Sequence, residues 1–158
     1  MSAWRHAICL LLGILMTVGC VADRAAASGA YSDTSPPIQL NHLFHGVINR
    51  RGNATGFHAR PGGIDPPDAR LLRVTAPPDA NGVYAGRVEI QGEPKRASST
   101  FFPDALPPNE VLEAIVTAFR DGEHDRDGRF VGNSGRGFIV EGWYRHGRIE
   151  SAYPLRER

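Results

Sequence analysis

The sequence predicts an α+β domain with antiparallel sheets and one clear helix. Short runs rich in Val, Ile and Tyr alternate between apolar and polar residues on both sides of the chain's midpoint. One segment between them has helical periodicity, and Gly- or Pro-rich turns join the runs. Because the strands precede and follow the helix instead of alternating with several helices, antiparallel pairing is expected.

The first half of the domain is predicted to be β structure interrupted by turns. Alternation and turn residues indicate, in order, a strand at 43–48, a turn at 49–53, an extended stretch at 54–59, a loop at 60–69, and strands at 71–76 and 82–91.

The second half begins with the helix and ends with a hairpin. Residues 110–120 place their apolar side chains on one helical face, and Pro107–Asn109 and Gly122 suit its two ends. Residues 121–129 form a predicted polar loop. Residues 137–145 and 147–154 are predicted to close the domain as a hairpin.

The N-terminal segment has the pattern of an export signal. Residues 7–18 form an apolar run that is short for a membrane span and typical of a signal peptide. Ala25–Ala27 offers a cleavage site, so residues 1–27 are predicted to be removed. A lipoprotein signal ending at residue 19, with Cys20 as the lipid-bearing first residue, is the alternative.

The remaining chain is predicted to be a flexible leader at 28–37 and one domain at 38–158. Both cysteines, Cys9 and Cys20, lie in the export segment, which excludes disulfides and cysteine chemistry from the domain. The segment 1–27 carries two of the 18 basic and one of the 17 acidic residues, so the remainder is formally neutral. A protein that coats nucleic acid non-specifically is excluded, and any polyanion would have to bind a local patch.

Three of the six histidines, at positions 42, 45 and 58, crowd one stretch. Three imidazoles can bind zinc, but on the predicted strand His42 and His45 point to opposite faces, which disfavours that site. Two histidines can instead act as base and acid in metal-free RNA cleavage, and a lysine can stabilise the developing negative charge. Lys95 is the only lysine in the chain.

The sequence resembles the EndoU endoribonucleases, especially their bacterial branch. The resemblance rests on four short motifs in the family's order: His42-Leu43-Phe44-His45-Gly46, Gly56-Phe57-His58, Lys95 before a Ser/Thr-rich strand that contains Ser99, and Ser151-Ala152-Tyr153-Pro154. These motifs span nearly the whole predicted domain.

The resemblance implies an EndoU-like, ribonuclease-like fold of two small antiparallel sheets with a flanking helix or helices, and it implies a role for each matching residue. His58 and His42 would be the catalytic base and acid, and Lys95 would stabilise the transition state. Tyr153 would orient the nucleotide, and Ser151, with Ser99, would contribute to substrate binding with a preference for uridine. The product would be a 2′,3′-cyclic phosphate.

The sequence departs from the family pattern at His45, an extra histidine that would replace His42 if the motif were shifted by three residues. Some relatives depend on manganese. No carboxylate cluster is evident here, so we expect no dedicated metal site and no cofactor, with Mn²⁺ acting as a stimulant at most.

The predicted function is therefore an exported endoribonuclease, periplasmic or secreted, whose substrate is single-stranded RNA. The resemblance further implies a toxin with a cognate immunity protein as partner. Contact with a membrane would come only through a lipid on Cys20. Two other hypotheses are a catalytically silent RNA- or protein-binding module on the same fold, and a metal-binding protein that uses His42, His45 and His58.

Overall fold

The computed structural model describes residues 30–157, and the predicted export segment lies outside them. The elements are strands β1 (Val47–Ile48), β2 (Ala54–Thr55), β3 (Ala69–Ala76), β4 (Tyr84–Ile90), β5 (Glu93–Pro94) and β6 (Ser99–Phe101), helix α1 (Pro108–Asp121), and strands β7 (Glu123–His124), β8 (Arg129–Asn133), β9 (Ile139–Arg145) and β10 (Arg148–Leu155). Among the described residues, no helix is long and apolar enough to cross a membrane.

The strands form two antiparallel sheets and a small ladder. In the first sheet, β4 pairs with β3 on one side and with β5 and β6 on the other. In the second sheet, the order is β10-β9-β8-β7. Strands β1 and β2 form the ladder. The predicted α+β class, with two small antiparallel sheets and one flanking helix, is confirmed.

Helix α1 packs on the second sheet and forms the larger core. Its buried face consists of Val111, Ala114, Ile115 and Ala118. The close approach to β8 depends on Gly132, because a Cβ atom there would lie 2.0 Å from the Ala118 carbonyl oxygen. A second core lies under the first sheet and includes Phe57, Val88 and Phe101.

Several local predictions are wrong. Residues 41–45 form a π-helical turn, so the strand predicted at 43–48 is reduced to Val47–Ile48. The predicted polar loop 121–129 contains β7, and β8 follows it. In both places backbone pairing with neighbouring segments outweighs the local sequence pattern.

The leader predicted to be flexible at 28–37 lies against the domain from Ala30 onward. Leu40 N–H donates to the Ala30 carbonyl at 2.9 Å, and Ile149 N–H donates to the Pro37 carbonyl at 2.8 Å. The second bond attaches the leader to β10, the strand that carries Ser151 and Tyr153.

Candidate active site

Two backbone hydrogen bonds bring His42 and His58 together. Phe57 N–H donates to the His42 carbonyl, and His58 N–H donates to the Leu43 carbonyl, both at 2.8 Å. They join the π-helical turn to the segment after β2. As a result, the centroids of the two imidazole rings lie 6.1 Å apart.

The Gly-Phe-His sequence is needed for this approach. Gly56 has a positive φ of +81°, and a Cβ atom there would lie 2.3 Å from the His42 carbonyl oxygen. Phe57, which follows, is fully buried in the second core. The glycine therefore admits the turn, and the phenylalanine anchors His58 next to it.

His58 is held as a neutral base. Its side chain is buried, and Nδ1 lies 2.8 Å from the Thr100 carbonyl oxygen. A carbonyl only accepts hydrogen bonds, so Nδ1 carries the proton and Nε2 keeps a free lone pair. Burial lowers the pKa of His58 well below 6.5, and the nearby Lys95 and His42 lower it further.

His42 is also neutral in the free protein. Burial, reinforced by the charge of Lys95, lowers the pKa of His42 to about 4, and Glu150 acts in the opposite direction. Binding of an anion beside His42 would raise this pKa, because an opposite charge favours the protonated imidazole. A phosphodiester could therefore help load the proton that a general acid must donate.

Lys95 is fixed by two acceptors. Its Nζ donates to the Gly56 carbonyl at 2.9 Å and to Ser99 Oγ at 2.8 Å. Burial lowers the pKa of Lys95 to about 8, so the ammonium form still dominates at neutral pH. An ammonium has three N–H donors, and no third acceptor is found among residues 30–157. One donor can therefore serve a substrate oxygen.

Tyr153 covers His58 from the second sheet. The two rings are stacked, with centroids 5.2 Å apart. Tyr153 Oη donates to Glu141 Oε1 at 2.8 Å, and Arg129 donates to the other carboxylate oxygen at 2.8 Å. Burial raises the pKa of Tyr153, and the bond to Glu141 adds to the effect. Ser151, two residues before Tyr153, lies on the same side of β10.

Comparisons with known proteins identify the family of this chain. Residues 38–156 match the family described as bacterial EndoU nuclease. The chain belongs to the bacterial EndoU nuclease family. It is also 31% identical over 127 residues to a Bacillus cereus protein named "Toxin"; the match covers 75% of this chain but only 22% of that protein. No solved structure matches this chain.

For this EndoU chain, the structure brings together His42, His58, Lys95 and Tyr153, with Ser151 on the same strand as Tyr153. Ser99 also lies at the site, but it is fully buried. Its hydroxyl accepts from Lys95 and lies 3.1 Å from the Gly56 carbonyl. Ser99 thus contacts the lysine directly, and its hydroxyl is not exposed to solvent.

His45 is separate from this group. Its Nδ1 lies 2.9 Å from Asp68 Oδ1, and both side chains are 42% exposed. Among residues 30–157, no three His, Cys, Asp or Glu side chains are grouped so that they could hold a metal ion. The three histidines proposed as a zinc site are therefore not assembled.

Glu141 and Trp143 are site residues that the sequence analysis missed. The Trp143 ring centroid lies 6.0 Å from that of Tyr153, and Trp143 is the register partner of Ser151. The signal that could have found them is the pairing of the closing hairpin. A bulge between Ile149 and Ser151 shifts that pairing, so counting back from the turn gives the wrong partners.

Proposed function

We propose that this EndoU domain is an endoribonuclease that cleaves single-stranded RNA at uridylates by transesterification. The observation that carries the proposal is the pair of neutral imidazoles beside a buried ammonium group, with His58 Nε2 left free by the bond from Nδ1 to Thr100. Transesterification of an RNA phosphodiester needs a base, an acid and a fixed cation within one small cleft.

The proposed reaction has one bond-forming and one bond-breaking event. His58 Nε2 removes the proton from the ribose 2′-OH, and the 2′-oxygen attacks the adjacent phosphorus. The bond from phosphorus to the 5′-oxygen breaks, and protonated His42 donates its proton to that oxygen. The products are a 2′,3′-cyclic phosphate and a 5′-hydroxyl. Proton exchange with water returns both histidines to their starting states.

The other residues support these steps. The free donor of Lys95 would bind a non-bridging phosphate oxygen, whose negative charge grows in the transition state. Tyr153 and Trp143 offer aromatic faces on which a base can stack, and Ser151 offers a hydroxyl to its polar edge. We propose that Ser99 positions Lys95. The scheme uses no dedicated metal site, and Mn²⁺ would only stimulate it.

The test uses a short fluorescent RNA with one central uridine and the variants His42→Ala, His58→Ala and Lys95→Ala. His45→Ala is the matched control, because it removes a histidine of the same motif that lies outside the cleft. The three site variants should lose cleavage by at least about a hundredfold, whereas His45→Ala should keep it. Loss in His45→Ala with retention in His42→Ala would reverse the assignment.

We further propose that the protein acts as an exported toxin with an immunity protein as its partner. Support comes from the apolar segment at 7–18 and from the relative named "Toxin", of which the chain spans 22%. Production without residues 1–27 should arrest bacterial growth and degrade cellular RNA, and His58→Ala should be harmless. Normal growth with active protein in the cytoplasm would contradict the toxin role. Whether Cys20 carries a lipid would be read from the mass of the mature protein.

A further inference from the structure

Two arginines face each other on neighbouring strands of the first sheet. Arg73 on β3 is the direct register partner of Arg87 on β4, so both side chains leave the same face of the sheet. Arg87 Nη1 donates to the backbone carbonyl of Arg96 at 2.7 Å, which brings a third arginine to the same place. Like charges directly opposite each other destabilise a sheet, so this arrangement is unfavourable unless an anion binds it.

None of these three arginines is neutralised within the described residues. The ion pairs found in residues 30–157 do not involve Arg73, Arg87 or Arg96. The neighbouring pair on the same two strands is different, because Arg70 is matched by Glu89 at 2.8 Å. The sheet therefore carries one compensated pair, Arg70 and Glu89, and one uncompensated pair, Arg73 and Arg87, whose second member contacts the backbone of Arg96.

This arginine group adjoins the active site through the loop 95–98. The loop leaves β4 where Lys95 N–H donates to the Val88 carbonyl at 2.9 Å, and it returns where Ser99 pairs with Gly86. Arg87 lies between these two points. Lys95 reaches into the catalytic cleft, and the next residue, Arg96, belongs to the arginine group. The loop thus connects the cleft to the arginine group, which leaves the opposite face of β4 from Ser99.

We propose that Arg73, Arg87 and Arg96 bind phosphates of an RNA strand that extends beyond the cleaved linkage. The proposal rests on the ribonuclease function proposed above. A guanidinium matches the oxygens of a phosphate with two parallel hydrogen bonds, and it does so without regard to base sequence. Since the domain is formally neutral overall, a local group of this kind is what would hold a polyanion.

The test measures binding of 2′-O-methyl RNA, which lacks the attacking hydroxyl and cannot be cleaved. Fluorescence anisotropy of a labelled dodecamer and a labelled dinucleotide is recorded over a range of salt concentrations. The proteins are the wild type, Arg73→Gln/Arg87→Gln, and the control Arg70→Gln, whose arginine is already matched by Glu89. Arg96 is left unchanged because it adjoins Lys95.

For single strands, each phosphate contact adds about 0.7 to the slope of log K against log salt. The slope for the dodecamer should therefore fall by about 1.4 in the double variant and stay unchanged in Arg70→Gln. Equal slopes in the double variant and the wild type would overturn the proposal. So would an equal loss of affinity for polyglutamate, because that result would point to an acidic protein as the ligand.

The two proposals can fail separately. If wild-type protein binds the dodecamer through these arginines but cleaves no RNA, the phosphate-binding group stands and the ribonuclease function fails. If cleavage occurs but the double variant keeps the wild-type salt slope, the ribonuclease function stands and the arginine proposal fails.

Discussion

Replacing Gly56 with alanine tests whether the close approach of two backbone segments creates the active site. Gly56 and Gly52 both have positive φ, +81° and +75°. A Cβ atom at Gly56 would lie 2.3 Å from the His42 carbonyl oxygen, whereas a Cβ atom at Gly52 would meet nothing within 4 Å. Both alanine variants therefore have the same kind of backbone strain, and only Gly56→Ala also clashes with the His42 carbonyl oxygen.

The left-handed conformation costs an alanine about 1–2 kcal/mol at either position. Gly56→Ala must also displace the His42 carbonyl and its 2.8 Å hydrogen bond from Phe57, which adds about 0.5–1.5 kcal/mol. The free energy of unfolding should thus fall by about 1.5–3.5 kcal/mol in Gly56→Ala and about 1–2 kcal/mol in Gly52→Ala. Since a displacement of about 1 Å can cost a hundredfold in rate, cleavage should fall in Gly56→Ala alone.

Urea denaturation gives the two free energies, and cleavage of a fluorescent RNA gives the rates. Equal destabilisation by the two substitutions would refute the proposed clash. Wild-type cleavage by Gly56→Ala would show that the positions of the two histidines do not depend on this approach.

Three further predictions follow from the contacts of the site. Ser99→Ala removes a hydrogen bond to the charged Lys95 and should lower the free energy of unfolding by about 1.5–3 kcal/mol. Ser98→Ala, at the exposed neighbouring position, should change it little. Equal effects of the two substitutions in urea denaturation would contradict this prediction. The pKa of His42 is about 4 in the folded protein and 6.5 in the unfolded chain, so between these pH values the unfolded chain binds more protons. As the pH falls from 6.5 to 4, His42 should therefore lower the free energy of unfolding by up to about 3 kcal/mol. His42→Gln should remove the contribution of His42 to that pH dependence and leave the contribution of His58, whose pKa is also lowered. Cleavage should decline above pH 8 as Lys95 loses its proton. Glu141→Gln weakens the hydrogen bond that Tyr153 donates to Glu141 and should raise KM about fivefold with little change in kcat. The control Glu123→Gln should leave KM unchanged. A selective loss of kcat in Glu141→Gln would argue against a positioning role.

The elements with clear periodicity could be predicted from the sequence. The helix predicted at 110–120 is found at Pro108–Asp121, and the strands predicted at 71–76 and 82–91 are found at Ala69–Ala76 and Tyr84–Ile90. Helix α1 and β4 each bury an apolar face, so their periodicity reflects their packing. Strand β3 is mostly exposed and is held by its pairing with β4.

The turn that carries His42 could not be predicted in this way. Residues 43–48 contain apolar residues typical of a strand, but the backbone at 41–45 winds into a π-helical turn so that its carbonyls can accept from Phe57 and His58. That conformation depends on a segment more than ten residues away in the chain. The choice between His42 and His45 depended on it too, because only the turn places His42 beside His58 and His45 beside Asp68.

Short sequence motifs identified the site residues, whereas the structure gives their hydrogen bonds and burial. The sequence could point to His58 as a base, but the hydrogen bond from Nδ1 to Thr100 depends on β6 lying beside it. Likewise, burial of Ser99 beneath Lys95 depends on the pairing of β6 with β4. The bond from His58 to Thr100 joins residues 42 positions apart, and no local pattern encodes it.

The central claim is that the 2′-hydroxyl of the RNA is the nucleophile and that protein side chains move the protons. The most direct test is mass analysis of the fragments from an RNA with one central uridine, incubated in EDTA, beside the same strand with 2′-deoxyuridine at that position. We expect a 2′,3′-cyclic phosphate and a 5′-hydroxyl from the first strand and no cleavage of the second. Cleavage of the deoxyuridine strand, or a 5′-phosphate on the product, would contradict it.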